Sequence, residues 1–118
     1  MPLYGSLGPT ALIPGDRLAM FNGSETPGAN TRSIAIARAT GGGLNPAPMV
    51  FTIDFATAPT AVVQICAANQ DVAADYQVLY TSTNTQHDYY SDQGIFEFYT
   101  VNLSTYSAGG MPTVIVQR

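Results

Sequence analysis

The stretch "MVFTIDFATAPTAVVQICA", residues 49–67, decides how the chain reads. Met49, Phe51, Ile53 and Phe55 fall on one side, with Thr52 and Asp54 on the other. A period of two marks a strand with one buried and one wet face. After the turn signal "TAPT" (57–60), the run "AVVQICA" (61–67) is apolar at nearly every position. That pattern suits a strand covered on both faces.

The same reading extends toward the C-terminus. "YQVLYTST" (76–83) puts Tyr76, Val78 and Tyr80 on one side, and "GIFEFYTVNL" (94–103) sets Phe96 and Phe98 against Ile95, Tyr99, Val101 and Leu103. "TVIVQR" (113–118) is a last β-branched run. Such side chains fit a pleated surface and lose rotamer freedom in a helix. Turn signals at "NQDVAAD" (69–75) and "SAGGMP" (107–112) separate the runs, and "DVAADYQ" has room for about one helical turn. Short strands at this spacing predict a single all-β domain, a sandwich or barrel with about seven or eight strands.

The first 48 residues hold most of the prolines and glycines. Two short strands are expected there, "RLAMFN" (17–22) and "RSIAIARA" (32–39). Residues 1–15 carry Leu3, Tyr4, Leu7, Leu12 and Ile13 on a backbone interrupted by Pro2, Pro9 and Pro14. Prolines remove donors from a sheet ladder, so this segment reads as an extended arm ahead of a β domain at 16–118. Its five large apolar residues are the candidate partner contacts. The alternative is an edge strand folded back on its own sheet.

Composition bounds the function. The chain has 118 residues, 46% of them hydrophobic, enough for one domain with a core of its own. It has no lysine, four arginines and a net charge of −4, so no basic stripe meets a nucleic acid. No run approaches the roughly 20 apolar residues of a membrane span, and the N-terminus lacks the charged and apolar parts of a secretion signal. Synthesis in a cytoplasm is expected, with the sequons at Asn22 and Asn102 arising by chance. The lone cysteine, Cys66, sits in an apolar run and reads as a small buried hydrophobe.

The segment "TNTQHDYYSD" (83–92) holds the one histidine, His87, beside Asp88, Ser91 and Asp92. A zinc site needs three or four converging ligands, and a hydrolytic triad needs nucleophile, base and acid in mutual reach. A tight loop aims three neighbours poorly at one point, so His87 reads as a solvated loop residue. Asp88 and Asp92 match no known calcium-loop spacing, although two carboxylates and loop carbonyls are the right ligand type. Asp54 and Glu97 read as exposed strand positions. No catalytic residue, metal or cofactor is expected, and the chain reads as a non-enzyme. Six of the seven tyrosines lie in the second half, where tyrosine suits both cross-strand packing and interfaces.

The segments "FTIDFATAPTAVVQICAANQDVAADYQVLYTS" and "FEFYTVNLSTYSAGGMPTVIVQ", within residues 49–118, resemble small virion proteins of tailed bacteriophages, above all capsid decoration or cement proteins. The resemblance implies a jelly-roll or related β-sandwich, a homo-oligomer such as a trimer, the major capsid protein as partner, and a place in the virion. A tail or neck component is one rival. A carbohydrate-binding module of an adhesive fibre is another.

Overall fold

The computed structural model describes residues 10–12, 15–24, 28–38 and 48–118. Ten strands follow one another: β1 (Thr10–Leu12), β2 (Arg17–Asn22), β3 (Thr31–Arg32), β4 (Ile36–Arg38), β5 (Met49–Asp54), β6 (Thr60–Ala68), β7 (Gln77–Thr83), β8 (His87–Asp92), β9 (Phe98–Ala108) and β10 (Thr113–Gln117). The helical turn expected near 71–77 is a 3-10 turn at Ala73–Asp75. Among the described residues there is no other helix.

The strands form two sheets. One runs β1-β4-β9-β6-β7 with β3 also on β9, and the other runs β2-β10-β5-β8. Four antiparallel pairs are nested: β2 with β10, β4 with β9, β5 with β8 and β6 with β7. The innermost pair, β6 and β7, is joined by a short loop carrying the 3-10 turn, and each outer pair closes over the one inside it. From β7 onward the chain changes sheet at every connection. Residues far apart in sequence therefore meet, and both sheets contribute to one core.

That core is built as the alternation requires. Met49, Phe51 and Ile53 of β5 are fully buried, while Val50 and Thr52 face out. Val114 and Val116 of β10 lie beside them, between β2 and β5. From the other sheet come Ala61, Val63, Ile65 and Ala67 of β6 and Tyr99, Val101 and Leu103 of β9. Cys66 and Ala68, on the opposite side of β6, are also buried, while Val62 and Gln64 on that side are half-buried, so the strand is covered on both faces only toward its C-terminal end.

Three expectations are corrected. The strand predicted at 94–103 runs instead from Phe98 to Ala108, because residues 94–97 are taken up by the crossing between sheets. Segment 87–92 is a strand, not a loop tip. The excess over seven or eight strands comes chiefly from short segments such as β1 and β3.

The arm reading is altered at its C-terminal end. Leu12 is 2% exposed and belongs to the domain's own core. β1 pairs in parallel with β4, and the Leu12 carbonyl accepts a 2.7 Å hydrogen bond from Arg118 Nη1. The boundary drawn at residue 15 thus cuts through structure of the domain itself. Leu3, Tyr4, Leu7 and Ile13 lie outside the described residues.

Two substitutions test this core. Phe51→Ala is expected to cost about 3–5 kcal/mol, and Leu12→Ala about 2–5 kcal/mol, in urea unfolding of the isolated protein. A Leu12→Ala protein with an unchanged midpoint would return residues 10–12 to the arm.

Candidate functional site

Strand β8 divides the polar residues of "HDYYSD" between two faces. Its exposure alternates, with His87, Tyr89 and Ser91 outward and Asp88, Tyr90 and Asp92 inward. Ser91 and His87 therefore lie on the face opposite Asp92, and the three cannot converge on one reacting atom. Asp88 and Asp92 share a face, but four residues of strand place them about 13 Å apart along it, with Tyr90 between. One calcium ion does not span that distance. Among the described residues no group of three potential metal ligands converges.

The two aspartates serve the tyrosines. Asp92 Oδ1 accepts from the Tyr90 hydroxyl at 2.9 Å, and its Oδ2 accepts from the Tyr99 hydroxyl at 2.6 Å and the Gly94 N–H at 2.9 Å. The Tyr99 oxygen in turn accepts the Phe96 N–H at 3.1 Å. Asp88 accepts from the Tyr80 hydroxyl at 2.5 Å. Gly94 takes φ of 76° inside this crossing, where a side chain would be strained. The rings form a chain through both sheets, Phe96 to Tyr99 at 6.3 Å, Tyr99 to Phe51 at 6.0 Å, Phe51 to Tyr90 at 6.3 Å and Tyr90 to Tyr80 at 5.1 Å. These separations are in the range where aromatic pairs attract.

The surroundings set the titration of these groups. Burial, then the hydrogen bond to Asp92, pushes Tyr90 up to about 12 and raises Tyr99 further in the same direction. Tyr80 is raised by its hydrogen bond to Asp88, with burial adding to it. For Asp88 burial acts upward, but hydrogen bonds from Tyr80, Ser82 and the Tyr89 N–H prevail and hold it below the usual carboxylate range.

The outer face of the β2-β10-β5-β8 sheet is a second candidate. Register places Ala19, Ile115, Thr52 and Tyr89 in one cross-strand row and Arg17, Gln117, Val50 and Ser91 in the next. Tyr89 is 69% and Val50 40% exposed. In the third row His87 Nδ1 lies 2.6 Å from Asp54 Oδ1, on the surface. Such an exposed pair contributes about 0–1 kcal/mol. Glu97, the other strand acid singled out, lies in the β8–β9 crossing and pairs with Arg38 at 2.7 Å.

The opposite sheet carries a cleft of about 150 Å³ on its outer face. Arg32, Asn102 and Gln64 line it from one cross-strand row, and Thr100, Cys66 and Val78 from the next. Ala73 and Tyr76, from the 3-10 turn and the residue after it, form its flank. Cys66 is buried there, and burial raises its thiol despite the nearby Arg32 charge. A thiol held protonated is a poor nucleophile. No sequence motif announces this cleft, because its walls come from segments 32, 64–78 and 100–102. No family model, curated protein or solved structure matches the chain.

Two outcomes are expected. Tyr99→Phe strands one acceptor site of Asp92 and should lower unfolding free energy by about 1–3 kcal/mol. In alkaline solution folded Tyr80, Tyr90 and Tyr99 hold protons that the unfolded chain loses near pH 10. Stability is then fully present below about pH 10 and falls as pH rises toward 12, the value for Tyr90. Absorbance titration of tyrosinate in the folded protein should show these groups ionising late, together with unfolding. A single ordinary transition near pH 10 with the fold intact would contradict the network.

Proposed function

We propose that the chain is a non-enzymatic structural protein of a tailed-bacteriophage virion, a capsid decoration protein that binds the major capsid lattice as a homo-oligomer, in trimeric form. The observation that carries the reading is the nested strand pairing. Leaving aside β1 and β3, the orders β2-β10-β5-β8 and β4-β9-β6-β7 pair first strand with last, second with second-last, and so inward. This supports a jelly-roll sandwich, an architecture that recurs in viral capsid domains and in lectins. Fold alone does not fix function. The choice of a virion protein rests on the resemblance of residues 49–118 and on the surface the fold leaves open.

That surface is the outer face of the β2-β10-β5-β8 sheet. Its middle row, Ala19, Ile115, Thr52 and Tyr89, has no charge. Interface cores are depleted in charge and enriched in tyrosine, so this face suits contact with a capsid subunit. The chain's low charge, 10% of residues, fits a protein packed against neighbours.

The assay is co-sedimentation with the empty shell of the phage that encodes it. Tyr89→Glu with Val50→Glu should weaken shell binding by at least about tenfold, while melting of the isolated protein stays put. Removing residues 1–9, which spares Leu12, should also lower binding if Leu3, Tyr4 and Leu7 contact a partner. Failure of the unaltered protein to sediment with the shell refutes the decoration role, and sedimentation equilibrium decides the trimer.

A further inference from the structure

The cleft on the β1-β4-β9-β6-β7 sheet is built mostly of polar side chains on a surface where strand packing does not require them. We infer that it binds a small hydroxylated carboxylate of the size of one sugar acid, a hexuronate unit. The inference does not depend on the virion reading, and the two fail in separate experiments.

Size comes first. A volume of about 150 Å³ accommodates a single six-membered ring and little more. Charge comes next. Of the lining residues only Arg32 is ionic, and no ion pair among the described residues engages it. A guanidinium with a planar fork of donors is suited to a carboxylate. Hydroxyl recognition is the third element. Asn102 Oδ1 is shielded from solvent and has no hydrogen-bond partner, an unusual condition for an amide oxygen. Asn102 also lines the cleft, so its carboxamide stands beside the space a ligand hydroxyl would occupy. Gln64 stands beside it in register and offers a second carboxamide.

The remaining walls suit the C–H face of a sugar ring. Val78, 50% exposed, stands in the cleft wall, and Tyr76 brings an aromatic ring. The Tyr76 hydroxyl donates to Asp71 Oδ1 at 2.8 Å, which fixes the ring at the cleft's flank. The nearby Cys66 thiol stays neutral through burial and adds no competing charge.

The test is titration of the isotope-labelled protein with sodium glucuronate, glucose and sodium acetate, followed by amide chemical shifts. Glucuronate is expected to give saturable shifts confined to Arg32, Gln64, Cys66, Tyr76, Val78, Thr100 and Asn102. Glucose, without the carboxylate, and acetate, without the ring, should each bind at least about tenfold more weakly. Arg32→Gln is expected to abolish the preference for glucuronate over glucose, and Arg32→Lys to restore part of it. Arg32 is exposed, so both variants should keep the spectrum of the fold elsewhere. A uronate oligomer binding more tightly than the monomer would identify a polysaccharide as the source, and equal affinity per unit a free sugar acid. Absence of shifts at these residues, equal binding of acetate, or an unchanged preference in Arg32→Gln would each overturn the assignment.

Discussion

A buried tyrosine hydroxyl must find an acceptor, and this fold is arranged around that demand. Tyr99 is fully buried, with its ring against Phe51 of the opposite sheet. Its hydroxyl would be left unpaired in a wholly apolar core, at a cost of about 1–3 kcal/mol. Asp92 meets it from β8, and the same carboxylate takes the Tyr90 hydroxyl and the Gly94 N–H. One side chain therefore ties the two sheets together and fixes the path of the crossing between them. Tyr80 and Asp88 repeat the arrangement between β7 and β8. The acids beside His87 are structural for that reason, and their outward neighbours are left for the surface.

How much of this was legible follows from which signals are local. The alternation of Met49, Phe51 and Ile53, and of Val114 and Val116, is written in adjacent residues, and the strands they predict are present. β8 was hidden because its inward positions are Asp88, Tyr90 and Asp92, a polar set that breaks the usual apolar-in pattern. The signal available was the pair of β-favouring tyrosines opposite a strand already identified. Prolines 9 and 14 suggest an arm at Leu12, yet three residues between them suffice for a parallel pairing with β4. The cleft was illegible altogether. Arg32, Gln64 and Asn102 become neighbours only through the register of β3, β9 and β6.

Nested pairing also carries a kinetic consequence. β2 meets β10 across almost the whole described chain, and β4 meets β9 across some sixty residues. Only β6 with β7 is local, joined by the loop containing the 3-10 turn. Loop closure must precede the reward of the outer pairs, so this topology belongs among slow folders, in milliseconds to seconds. The innermost hairpin is the natural place for folding to begin, with β9 adding to β6 along the longest ladder.

The two outer faces differ because their strands are loaded differently. β10 has uncharged residues outward, and the middle row of the face it centres carries no charge. β9 has Thr100 and Asn102 outward, opposite Cys66 and Gln64 on β6, and the loop after β6 rises beside them. A sheet face covered by its own loop keeps a polar concavity, whereas a bare one offers area. Area suits a protein neighbour, through many weak contacts over a broad patch. Concavity suits a small molecule, through a few placed polar groups. One core holds both faces at fixed separation, so a substitution on either surface leaves the other's geometry intact as long as Tyr99 and Asp92 keep the sheets in register.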